Sequence, residues 1–183
     1  MQVHLEAGLA QQLLKESGYD GTPVVMMKPT DLASIQKLPD VAAQLLRQAG
    51  FKVDLQAMDW QTLVGRRAKK DAPDKGGWHL FMTAWNALDV WSPITNVAYD
   101  ARGERSVWFG WPSDEKMVEL RNRFMRESDE AGKLKVAQAI NVRAFEQALY
   151  APLGDAVTNL AARKSVEGLF VSNNQVYWNL SKR

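Results

Sequence analysis

The sequence predicts an α/β fold, and three observations carry that expectation. Its first half alternates apolar stripes at helical spacing with short apolar runs. Glycine, proline or aspartate stands at most of the changeovers, where helices start and stop. Hydrophobic residues make up 46% and charged residues 24% of the 183 residues, enough for a core of useful size.

Leu5, Leu9, Leu13 and Leu14 recur at helical spacing, and Gly18 is placed to end that helix. Thr22-Pro23 then opens a buried strand over residues 24–27. Asp31 is placed to cap a second helix with Ile35, Leu38, Val41, Leu45 and Leu46 on its apolar side. Pro39 either kinks this helix or marks its true first turn. After Gly50, the apolar residues Phe51, Val53 and Leu55 alternate with Lys52, Asp54 and Gln56, which predicts a half-buried strand. Asp59 is a candidate cap for a helix over residues 60–70. A turn-rich loop with Pro73 and Gly76-Gly77 leads to a third strand expected over 78–85. Crossover helices between such strands are the mark of an α/β sheet.

Residues 86–112 show no clean period, and long irregular segments inside compact domains are often functional. Ser113 is placed to cap a helix with Asp114 and Glu115 in its first turn and Met117, Leu120, Phe124 and Met125 on its apolar side. Asp129 opens a last long helix. Residues 151–180 alternate apolar runs with turn residues, so short strands are expected there.

Several function classes fall away. The net charge is only +2, so charge names no nucleic-acid partner. The basic run Arg66, Arg67, Lys69 and Lys70 reads as the solvated face of a short helix, because Asp71 and Asp74 follow and no aromatic residue is interleaved. The absence of cysteine excludes disulfides and thiolate metal sites, and it leaves the compartment open. His4 and His79 have no metal-ligand spacing, and His79 reads as a structural residue. No phosphate-binding glycine loop or nucleophile elbow is present. We expect no catalytic residues, no cofactor and no metal site. No apolar run reaches the roughly 18 residues that span a bilayer. Residues 1–10 lack an export signal pattern, so we expect either a cytoplasmic chain or a part of a longer exported parent.

The tryptophans point to a ligand. Of seven, five fall between Trp78 and Trp111. Trp85, Asn86, Asp89 and Trp91 follow an expected strand end, where α/β folds place ligands. Tryptophan offers a large rigid face for stacking, and a neighbouring carboxylate can pair with an ammonium group. The alternative reading is that these rings fill a core.

The motifs, taken in order, resemble a known family. They are LLKESGYDG at 13–21, LLRQAGFKVDLQ at 45–56, DWQTLVGRRAKK at 59–70, GGWHLFMTAWNALDVWSP at 76–93, WFGWPSDEKMVELR at 108–121, YAPLGD at 150–155 and VYWNL at 176–180. Over residues 10–179 the chain resembles the C-terminal part of family 5 extracellular solute-binding proteins, the dipeptide- and oligopeptide-binding group of ABC importers. The resemblance implies one lobe of a two-lobed periplasmic-binding-protein-like fold, with a mixed sheet flanked by helices. In that family two lobes close around the ligand. The family's strand-end Trp matches Trp85. Its acid, which holds a peptide's α-amino group, matches Asp89, four positions on. Many members place it three positions on, where this chain has Leu88. Trp108 and Trp111 match the pattern of the subgroup with the later acid.

The resemblance further implies a peptide or small-solute ligand, an ABC permease, a periplasmic parent and an N-terminal lobe lying outside this chain. Residues 1–159 are then the ligand-binding lobe and residues 160–183 a C-terminal tail that returns to the other lobe. Exposed apolar surface follows, and with it a homodimer or a rearranged tail. Two alternatives stand beside this reading: an oligosaccharide or other small solute in the same fold, and a free-standing cytoplasmic interaction domain.

Overall fold

The apolar run that begins at Val24 becomes the central strand of a parallel sheet. We describe it from a computed structural model, which describes residues 7–157, 159–170, 172 and 176–183. The expected helical position of Leu5 and the histidine at His4 lie outside the described residues. The chain divides into two compact units between Ala84 and Trp85.

In the first unit the order is α1 (Ala7–Glu16), β1 (Val24–Pro29), α2 (Leu38–Ala49), β2 (Val53–Met58), α3 (Trp60–Arg66) and β3 (Leu80–Phe81). The strands lie in the order β2-β1-β3, all parallel, with Val24 opposite Val53 and Met26 opposite Leu80. Parallel neighbours need crossover connections, which α2 and α3 supply. A central strand is covered on both faces, and β1 is accordingly apolar without alternation: Val25, Met26 and Met27 are all buried. Ile35, Ala43 and Leu63 complete this core.

The structure settles or changes several expectations in detail. Pro39 sits in the first turn of α2, where its missing N–H is no loss, so that helix starts at Leu38. Asp31 therefore caps nothing at α2 and instead accepts the Trp60 N–H at 2.7 Å. Helix α3 is shorter than expected and ends at Arg66, although Asp59 does cap it, accepting the Thr62 N–H at 2.9 Å. The third strand, expected over 78–85, shrinks to Leu80–Phe81. There the ladder closes at His79, whose Nδ1 accepts the Val25 N–H at 2.9 Å and whose N–H donates to the Val25 carbonyl. The imidazole thus replaces a backbone partner, a structural role. The basic run is not all solvated. Arg66 donates to the Gly76 and Gly77 carbonyls at 2.9 and 2.7 Å, and the Arg67 guanidinium lies 5.7 Å from the Trp60 ring centroid.

The second unit opens with the irregular segment and then pairs α4 (Glu115–Arg126) with α5 (Glu130–Glu146). Its core is Tyr99, Ala101, Met117, Leu120, Val136, Ile140 and Ala144, with Phe124 and Leu149 packed against it. The cap of α4 is Asp114, one residue later than expected. Its carboxylate accepts the Met117 N–H at 2.6 Å, while Ser113 is held in an antiparallel bridge to Arg102. Asp129 caps α5 as expected, accepting the Gly132 N–H at 2.7 Å. Among the described residues of the tail, β4 (Val166–Glu167) pairs antiparallel with β5 (Ser181–Lys182). Val157 and Trp178 are 92% and 90% exposed. Among the described residues no helix is long and apolar enough to cross a membrane.

Candidate ligand-binding site

The segment between Ala84 and α4 has no long element to hold it, so its shape comes from side chains that cap the backbone. Asn86 accepts the Leu88 N–H and opens a short 3-10 turn, Ala87–Asp89. Asn96 does the same for Ala98 at 3.1 Å, opening the turn Val97–Tyr99. Among the described residues the buried polar side chains are Asn96, Asp100, Ser106 and Asp114, all within this segment or at its end. Buried polar groups need partners, and these have them.

Asp100 is the most connected. Only 1% exposed, its carboxylate takes a two-pronged hydrogen bond from Arg102 at 2.6 and 2.8 Å and the Val107 N–H at 2.9 Å. Arg121, projecting from α4, approaches it at 3.5 Å. The Arg102 guanidinium, helped by the Val107 N–H, holds the Asp100 carboxyl below the usual carboxylate range against the opposing effect of burial. The Asp100 carbonyl also accepts the Ser106 hydroxyl at 2.7 Å. At the far end Asp114 pairs with Arg143 of α5 at 2.6 Å, and that guanidinium depresses its carboxyl in the same way. The Asp114 N–H donates to the Ala101 carbonyl and the Gly103 N–H to Pro112, which closes residues 101–114 into a pinned loop.

This frame presents a row of aromatic rings. Trp85 and Trp108 pack against each other, tilted at 55° with centroids 4.5 Å apart. Trp108 meets Phe109 at 4.9 Å, and Phe109 meets Trp111 edge-on at 6.5 Å. Trp111 has φ +44°, a left-handed conformation costly for a bulky side chain, after Gly110 at φ +94°. Trp85 is 39% exposed, so the stack is a ledge at the surface and not a sealed core.

Of the site residues read from the sequence, Trp85, Trp108 and Trp111 are brought into this one row. Asn86 is a backbone cap beside it. Asp89 ends the 3-10 turn, exposed, and Trp91 two residues on is 83% exposed. Asp100 and Arg102 were missed because a segment without period gives no pattern to flag them, and Arg121 because one arginine on a helix carries no mark of a partner 21 positions away. The available signal was an Asp-x-Arg pair set among Ala98, Tyr99 and Ala101, a charged pair inside an apolar stretch. A concavity of about 320 Å³ lies on the α4 surface, lined by Glu119, Asn122, Arg123, Arg126 and Glu127 and by no ring of the aromatic row. Among the described residues no three His, Cys, Asp or Glu side chains cluster as metal ligands.

No protein-family model matches the chain. A curated relative does: a probable peptide ABC transporter periplasmic-binding protein of Sinorhizobium fredii is 30% identical over 173 residues, 94% of this chain. The chain spans 32% of that relative's length. Two solved structures share the fold. A nickel ABC transporter from Bacillus halodurans aligns over 81% of this chain and 32% of its own, with a TM-score of 0.56 and 16% identity. NikA from Brucella suis in complex with Fe(III)-EDTA aligns over 96% of this chain and 38% of its own, with a TM-score of 0.57 and 16% identity. The resemblance carried by the sequence motifs therefore holds. The chain is similar over most of its length to part of one ABC-transporter periplasmic-binding protein, and its α/β fold is shared with part of the two solved structures.

Proposed function

We propose that this chain is the ligand-binding lobe of a periplasmic solute-binding protein serving an ABC importer, with a peptide or related small solute as cargo. The observation that carries the proposal is the surface row of Trp85, Trp108 and Trp111 with exposed carboxylate Asp89 nearby in sequence, in a chain matched over 94% of its length by a peptide-binding relative. The rings supply flat faces for backbone and side chains of the ligand, and Asp89 takes its ammonium group. Trp91 extends the apolar contact.

The role is binding without catalysis. Among the described residues the two most buried carboxylates, Asp100 and Asp114, are committed to arginines and hold the frame. In this reading the second lobe lies in a longer parent, and residues 160–183 return to it. Exposed Val157, Tyr177 and Trp178 are the surface that the other lobe, or a second copy of this chain, would cover.

Calorimetric titration of the parent protein with the tripeptide Ala-Ala-Ala tests the role of Asp89. A hydrogen bond to a charged group contributes about 1.5–3 kcal/mol. Asp89→Ala is expected to weaken binding roughly 10- to 100-fold. Unchanged affinity removes Asp89 from the site.

A further inference from the structure

We propose that Asp100, acting with Arg121, is the positioning residue of the aromatic ledge. This rests on reading the ledge as the ligand face. The second half of the irregular segment is bound to Asp100 through two atoms. Its carboxylate takes the Val107 N–H at 2.9 Å, and its carbonyl takes the Ser106 hydroxyl at 2.7 Å. The Ser106 Oγ in turn accepts the Trp108 N–H at 3.2 Å. Three consecutive residues ending in Trp108 are thereby fixed to one side chain and its own backbone.

The first half is bound through Arg121. Its Nε donates to the Pro93 carbonyl at 3.2 Å and its Nη2 to the Ile94 carbonyl at 3.0 Å, just after Trp91. Its Nη1 lies 3.5 Å from Asp100 Oδ1. Arg121 is 15% exposed and stands on the twelve-residue helix α4, which follows the segment. One ion pair therefore links the stretch after Trp85 to the stretch before Trp108, and these are the two rings that stack. A charge pair of fixed geometry defines one arrangement, where apolar contact alone allows several. Neither residue belongs to the aromatic row, so they act through it.

Two tryptophans at 4.5 Å couple their electronic transitions and give a paired circular-dichroism band that single rings do not. That band reads ring position alone, so it stands or falls independently of the Asp89→Ala titration, which reads ligand contact. Trp85→Phe sets the level without the stack. In this chain Asp100→Ala is expected to lower the band to the Trp85→Phe level with the helix signal kept. Asp100→Asn, which keeps an acceptor for Val107 but loses the charge facing Arg121, is expected to fall between. Asp114→Ala, which removes the other buried, arginine-paired carboxylate at the far end of the loop, is expected to keep the band. A full band in Asp100→Ala or Asp100→Asn overturns the inference, and so does its loss in Asp114→Ala. If Asp100→Ala also loses its helix signal, Asp100→Asn alone decides.

Discussion

Strand β1 and the segment at 85–113 are held by opposite means. In β1 the work is done by apolar burial. Met26 and Met27 are fully buried, and the strand is flanked on both sides by parallel neighbours. In the segment the backbone has almost no ladder, and a handful of capped or charged side chains replace it. Asn86, Asn96, Ser106, Asp100 and Asp114 each satisfy backbone N–H groups or an arginine. The difference matters for function. A sheet interior has no free surface to offer a ligand, whereas a polar frame can hold large rings half-exposed.

The largest effect is expected at β1. Met26→Ala should cost about 2–5 kcal/mol, as methionine truncations in packed cores do, and should lower the urea midpoint accordingly. Next comes the polar frame. Asp100→Ala leaves the nearly buried Arg121 without its carboxylate and should cost about 1–3 kcal/mol in the same assay. A change inside experimental noise would mean the segment is held by its rings and not by its charges.

Acid should separate the two mechanisms further. The carboxyls of Asp100 and Asp114 titrate below the ordinary carboxylate range because of Arg102 and Arg143 respectively. Their contribution to stability is therefore fully present above the unfolded value of about 3.9. It is lost as pH falls from there through the lowered folded values. Denaturant midpoints should be flat in these terms above about pH 5 and drop below it, with a smaller drop in Asp114→Asn. The smallest stability effect belongs to Trp91→Ala. This ring is 83% exposed, so its loss should move stability by no more than about 0.5 kcal/mol while weakening solute binding by the parent.

The same contrast explains what the sequence revealed. Strand β1 was legible as an unbroken apolar run and β2 by its alternation, and helices α3 and α5 were legible because Asp59 and Asp129 stand where caps belong. Where a local detail depended on a distant partner, the reading slipped. Strand β3 starts late, at Leu80, because the His79 ring stands in for a backbone acceptor toward Val25 of β1. The α4 cap moves from Ser113 to Asp114 because Ser113 pairs with Arg102. Within the segment the tryptophans were visible by their density, yet Asp100 and Arg121 were not. They are 21 positions apart in sequence, and only the fold brings them to 3.5 Å.

The central claim is that the polar-framed segment is the surface a solute touches. Hydrogen exchange of the parent protein, with and without saturating Ala-Ala-Ala, tests it most directly. Added protection is predicted at the amides of Ala87 to Val90 and of Val107 to Phe109, with the amides of β1 unchanged by ligand. Protection that appears elsewhere in this chain and spares both stretches would contradict the account.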